Sequence, residues 1–70
     1  MALDGGGDGL TFYRVLARDW APKLSADGFL AVEVGIGQAE AVAELLAAQG
    51  LKPRILPDWA GVDRVVLAGR

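Results

Sequence analysis

The feature that most constrains the fold is residues 29–46, FLAVEVGIGQAEAVAELL, where an apolar run reaches two closely spaced glycines and continues as an alanine-rich segment. Residues 29–34 are apolar on both faces apart from Glu33, which predicts a strand covered by helices on both sides of a sheet. Residues 37–49 predict a helix that ends at Gly50, because glycine readily adopts the left-handed conformation that terminates helices. The packed stripe of this helix comprises Ala39, Val42, Ala43 and Leu46.

The rest of the chain predicts one more helix and two more strands. Residues 10–24 form a predicted helix whose apolar stripe comprises Tyr13, Leu16, Ala17, Trp20 and Leu24. Residues 53–56 and 64–68 predict strands that pair antiparallel, because the short connection PDWAGVD between them cannot hold a helical crossover. The strand at 29–34, its helix and the strand at 53–56 form a predicted βαβ unit with parallel strands. We therefore predict an α/β fold with two helices and a three-stranded mixed sheet, the βαβ unit plus an antiparallel last strand.

Composition excludes several kinds of site. The chain contains no cysteine and no histidine, which removes thiolate metal sites, disulfides and the commonest general base near neutral pH. Its net charge is -2 and no lysine or arginine cluster occurs, so nothing in the charge pattern favours nucleic acid as a partner. Its apolar runs are far shorter than the ~18–20 residues of a membrane span, and its first residues are acidic. We expect a soluble, cytoplasmic protein without a metal site.

The two glycines of residues 35–37 have two cofactor interpretations and one structural one. A dinucleotide loop needs a third glycine where this chain has Glu40, whose carboxylate would repel a phosphate at the helix N-terminus. An S-adenosylmethionine loop of the form acid-x-G-x-G-x-G fits better, through Glu33, Gly35 and Gly37, but has Ala39 in place of its last glycine.

The next strand argues against the second cofactor interpretation. The acid that would hold the ribose hydroxyls should end that strand, but Pro57 precedes Asp58 there and makes a poor strand end. We favour the structural interpretation, in which the glycines allow a tight turn from strand to helix. No catalytic, cofactor-binding or metal-binding residue is assigned.

Three stretches, taken together, resemble a known family. They are ALDGGGDGLTFYRVL, PKLSADGFLAVEVGIGQAEAVAELL and DWAGVDRVVLAGR, and they are similar to the C-terminal portion of the release-factor glutamine methyltransferases, the HemK family. The resemblance implies a class I, Rossmann-like methyltransferase with a seven-stranded sheet whose last strand is reversed. It also implies transfer of a methyl group from S-adenosylmethionine to the glutamine amide of the Gly-Gly-Gln motif in peptide-chain release factors, the proteins of translation termination.

The resemblance places the functional motifs of the family outside this chain. The cofactor loop and the Asn-Pro-Pro-Tyr motif of the family lie upstream and do not occur here, so residues 1–70 would be a partial domain, the C-terminal segment of a catalytic domain. The parent enzyme would use S-adenosylmethionine and bind a release factor, while this chain alone would bind no cofactor and be inactive. Its partner would be the missing N-terminal part, or a second copy through the exposed sheet edge. Two alternatives stay open: a stand-alone α/β interaction module without catalysis, and an N-methyltransferase acting on another substrate such as a nucleic acid base.

Three loops are candidate substrate-side segments. Ligands of open α/β sheets bind beyond the carboxyl ends of the strands, where residues 35–38 and 57–63 should lie, and the resemblance places residues 4–9 there too. The candidate residues are Asp4, Asp8, Gly35, Gln38 and Trp59. Simple solvated turns are the alternative interpretation.

Glu33 and the two tryptophans need separate explanations. A lone carboxylate in a covered strand is costly unless paired, so we predict a cross-strand ion pair between Glu33 and Arg64, in preference to a catalytic role for Glu33. Trp20, on the helix stripe, is expected in the core. Trp59 is expected either to contact a partner or to pack over the hairpin.

Overall fold

The computed structural model describes residues 9–70. Helix α1 spans Thr11–Trp20, and a 3₁₀ turn, Ala21–Lys23, follows it. Strand β1 is Phe29–Glu33, helix α2 is Ala39–Ala47, strand β2 is Lys52–Pro57 and strand β3 is Asp63–Gly69. Every predicted element is present, so the predicted α/β class is confirmed. The ends of the elements moved by up to a few residues.

The sheet order is β1-β3-β2, and β3 runs antiparallel to both neighbours. The predicted antiparallel pairing of the last two strands is confirmed. β1 and β2 run in the same direction, as a βαβ unit requires, but they do not pair with each other because β3 lies between them. The sheet is therefore antiparallel throughout and not mixed as predicted. The physical reason is burial: β3 carries Val66 and Ala68, both fully buried, and the central position covers the strand on both edges.

Both helices cover one face of the sheet. Their buried residues form a single core with Val34, Val66 and Ala68, and α2 packs against β2 and β3. The other face is open: Phe29 is 63% exposed, and Ala31 and Glu33 are exposed beside it. The expectation that β1 is covered on both sides is therefore wrong for the part of the chain that the structure describes.

The two helices differ in how well their stripes were predicted. α2 buries Ala39, Val42 and Leu46, as predicted, and Gly50 ends the helical turn with a φ of +86°. On α1, Ala17 of the predicted stripe is buried and Tyr13 packs against the core. Ala21, in the 3₁₀ turn that follows, is buried beside them. Trp20 is 51% exposed, so its predicted place in the core is wrong.

Neither helix in residues 9–70 is long and apolar enough to cross a membrane.

Candidate functional site

Gln38 joins two of the three candidate segments. Its Oε1 accepts a 2.8 Å hydrogen bond from the Gly35 N–H, and its Nε2 donates a 3.5 Å bond to the Gly9 carbonyl, just before α1. A Cβ at Gly35 would lie 2.9 Å from Oε1, closer than real contacts allow. Glycine at position 35 therefore makes room for the Gln38 side chain.

The turn between β1 and α2 has a structural reason for its second glycine as well. Gly37 has a φ of +81°, a conformation that residues with a Cβ rarely adopt. The Gly35 N–H, which a cofactor loop would direct at a ligand, is already bonded to Gln38. This geometry supports the interpretation of residues 35–38 as a structural turn.

Asp58 organises the connection between β2 and β3. Its Oδ1 accepts hydrogen bonds from the N–H groups of Ala60, at 2.8 Å, and Val62, at 3.1 Å. The Asp58 N–H donates to the Val62 carbonyl at 2.8 Å, and Gly61 closes the turn with a φ of +85°. The Val62 N–H, then the Ala60 N–H and the Arg64 guanidinium, lower the pKa of the Asp58 carboxyl against the opposing effect of desolvation. The loop is thus a hydrogen-bonded unit.

Trp59 projects from this loop and is 99% exposed. Packing over the hairpin, one of its two expected positions, is therefore wrong. The other expectation, a partner contact, stays a prediction.

The predicted Glu33–Arg64 ion pair is replaced by another. Among the described residues, Arg64 pairs with Asp58, its Nη2 lying 3.4 Å from Oδ2, and no ion pair joins it to Glu33. The register is the cause: Glu33 lies opposite Val65, and because side chains alternate between faces, Arg64 points to the other side of the sheet. Glu33 is exposed on the open face and needs no buried partner.

The described parts of the candidate segments meet at one edge of the sheet. Gln38 reaches Gly9, and a depression of about 190 Å³ is lined by Gly37, Ala39, Glu40 and Asp63, which brings the 35–38 turn to the end of the 57–63 loop. Asp4 and Asp8 lie outside the described residues. Across residues 9–70, no three potential metal-ligating side chains group together.

Sequence reasoning missed three contributors to this edge. The Tyr13 hydroxyl donates a 2.9 Å hydrogen bond to the Glu33 carbonyl and fixes α1 against the end of β1. The sequence predicts a turn at Asp58 and argues against a ribose contact there, but it does not predict that the Asp58 carboxylate accepts hydrogen bonds from the Ala60 and Val62 N–H groups. Ile36, 84% exposed, carried no signal beyond its place between two glycines.

Comparison with known proteins identifies relatives over the whole chain. Release factor glutamine methyltransferase of Rhodospirillum rubrum is 51% identical over 70 residues, which are 99% of this chain and 22% of the relative. The proteins of the same name from Moorella thermoacetica and Aquifex aeolicus are 47% and 42% identical, over 100% and 99% of this chain and 25% of each relative. No family model and no solved structure matches. The resemblance to release factor glutamine methyltransferases is thus confirmed, and the chain spans about a quarter of the length of these curated relatives.

Proposed function

We propose that this chain, similar along its whole length to release factor glutamine methyltransferases, supplies the C-terminal quarter of such an enzyme. The observation that carries the proposal is the match of essentially all of this chain to about a quarter of each relative. The complete enzyme would bind S-adenosylmethionine in its other part and methylate the glutamine of the Gly-Gly-Gln motif in a release factor. This chain would form one wall of the substrate site through residues 35–38 and 57–63.

Within residues 9–70, β1 has a neighbouring strand on one side only, and its other edge supports the proposal. The Val34 N–H donates to the Arg64 carbonyl across the ladder, and hydrogen-bonding direction alternates along an antiparallel strand. The backbone groups of Phe29 and Ala31 consequently face away from β3, towards solvent. β1 has no proline and no lysine, the residues with which natural edges resist further pairing. Such an edge fits an interior strand whose second neighbour lies outside this chain.

The free edge of β2 is different. The register pairs Arg54 with Leu67 and Pro53 with Ala68, so the alternation set by β1 directs the Pro53 position outward. Proline cannot donate a hydrogen bond, and Lys52 and Arg54 flank it. Prolines and charges are typical of a strand that ends a sheet. The two edges therefore predict that the sheet continues beyond β1 and stops at β2.

Reassembly of a split enzyme tests this proposal. The chain would be co-expressed with the N-terminal three quarters of the R. rubrum relative, and transfer of a labelled methyl group from S-adenosylmethionine to a purified release factor would be measured. We expect transfer by the pair and none by either part alone. The matched control is a release factor whose Gly-Gly-Gln glutamine is replaced by alanine, which should accept no label. A stable but inactive pair, or equal labelling of the control substrate, would refute the proposed substrate.

A second candidate, an interaction module without catalysis, is favoured by the open face of the sheet, where Phe29 is 63% exposed. This candidate predicts that the chain forms a stable complex with a second copy of itself and does not bind the N-terminal part of the relative. Sedimentation of the chain with and without that part separates the two candidates.

A further inference from the structure

The two most exposed large apolar side chains among the described residues lie at the same edge of the molecule. Trp59 is 99% exposed and Ile36 is 84% exposed. Gly37, next to Ile36, and Asp63, at the end of the 57–63 connection that carries Trp59, both line the same depression. Large apolar side chains left fully in water at one place are a signature of a contact surface.

Both side chains are presented by turns with internal hydrogen bonds. Asp58 ties the Trp59 turn together through Ala60 and Val62, and Gln38 ties the Ile36 turn through Gly35. A side chain on a turn that is already ordered loses little conformational freedom when a partner covers it, which increases the net gain from the contact.

The depression near these two turns is lined by negatively charged side chains. Glu40 and Asp63 line the depression and are exposed. The nearest cation in sequence, Arg64, is paired with Asp58. Exposed carboxylates beside an exposed tryptophan suit a partner with arginine or lysine, which can both pair with the acids and lie over the indole ring. The same acids repel phosphates and so disfavour nucleic acid or an anionic membrane.

We propose that Ile36, Glu40, Trp59 and Asp63 form a docking surface, the acidic edge surface, for a basic and apolar polypeptide segment. Ile36 and Trp59 anchor its apolar side chains, and Glu40 and Asp63 select its cations. The identification of that segment as part of the methylated polypeptide rests on the proposed function. The expected binding of a basic and apolar segment does not depend on the proposed function.

Binding of a defined peptide tests the acidic edge surface. The probe is a fluorescein-labelled peptide of arginines and leucines spaced by glycines, and its charge-reversed partner carries glutamate at each arginine position. Anisotropy would be measured with the chain alone and with the chain assembled with the N-terminal part of the R. rubrum relative. We expect saturable binding of the basic peptide, weakened about tenfold or more by Trp59→Ser or Ile36→Ser. The double variant Glu40→Gln/Asp63→Asn should also weaken it and flatten its salt dependence.

The matched control is Phe12→Ser, on α1, which removes another exposed aromatic and should leave binding unchanged. No binding in either preparation, equal binding of the two peptides, or equal effects of Phe12→Ser and Trp59→Ser would overturn the proposal. An unlabelled release factor serves as competitor. If the basic peptide binds as expected but the release factor does not displace it, the surface stands and the proposed substrate falls.

Discussion

At the scale of single residues, Gln38 links the β1–α2 turn to the start of α1. Its side-chain oxygen accepts a hydrogen bond from the Gly35 N–H, and its side-chain nitrogen donates one to the Gly9 carbonyl. The sequence singled out both Gly35 and Gln38 as loop residues, yet it gave no reason for them to occur together. The structure supplies that reason, since the space above Gly35 is filled by Gln38.

Gly35→Ala should act through Gln38 alone. The backbone of Gly35 lies outside the left-handed region, so alanine fits it, and the new methyl group displaces the flexible end of Gln38. We expect a loss of about 1 kcal/mol, the worth of a typical hydrogen bond. In a Gln38→Ala background the same substitution should cost almost nothing. Urea unfolding of the four proteins of this double-mutant cycle measures the coupling, and strictly additive effects would contradict this account.

Asp58 should make the hairpin sensitive to acid. Hydrogen bonds from Val62 and Ala60 and the charge of Arg64 lower its folded-state pKa. A lowered pKa contributes stability that is fully present above the unfolded value of about 3.9 and is lost as the pH falls through the folded value. Asp58→Asn should therefore destabilise the chain near neutral pH, and the difference from wild type should shrink as the pH drops below about 4. Thermal unfolding across this pH range would reveal a constant difference if the charge of Asp58 were irrelevant.

At the scale of elements, the two edge strands of the sheet differ in how well their sequences resist pairing with a further strand. β2 is protected by Pro53 and by flanking charges, whereas the outward backbone groups of β1 are unprotected. The Tyr13 hydroxyl occupies the Glu33 carbonyl at the end of β1 and leaves the middle of the strand open.

Ala31→Pro should block assembly without unfolding the sheet. The Ala31 N–H faces away from β3, so proline there removes no bond of the β1–β3 ladder. It does remove a donor for an incoming strand, and we expect assembly with the N-terminal part of the R. rubrum relative to weaken by about tenfold or more. Ala31→Val, which keeps the N–H, is the control. Sedimentation measures assembly, and circular dichroism verifies that the variant is folded. If the proline variant assembles as well as the wild type, the edge of β1 is not the site at which the two parts join.

At the scale of the whole molecule, residues 9–70 form a sheet with helices on one face and none on the other. The core lies between the helices and the sheet, while Phe29 and its neighbours on the far side meet solvent. An exposed apolar sheet face of this kind is a candidate contact surface for further protein.

Calorimetric titration with S-adenosylmethionine tests the proposal that the cofactor binds to the other part of the enzyme and not to this chain. We expect no binding to the 70-residue chain, because the Gly35 N–H is already bonded to Gln38, and binding to the pair assembled with the N-terminal part of the relative. Glu33→Gln should leave binding by the pair unchanged. Saturable binding by the chain alone, lost in Glu33→Gln or Gly37→Val, would restore residues 33–37 as a cofactor loop.

The sequence by itself determined the elements and much of the site. Periodicity located both helices and all three strands, and it identified the buried stripe of α2, because those patterns depend on residues close together in the chain. It placed Gly35, Gln38 and Trp59 in loops for the same reason.

Only the tertiary structure decided what depends on distant residues. The sheet is antiparallel throughout rather than mixed, because β3 pairs with both β1 and β2. Packing buries Ala17 but leaves Trp20, from the same predicted stripe of α1, half exposed. Glu33 lies opposite Val65 and not opposite Arg64, so Arg64 is on the other face of the sheet and pairs with Asp58. Several arrangements satisfy the same local pattern, and close packing of the small residues against the sheet selects among them.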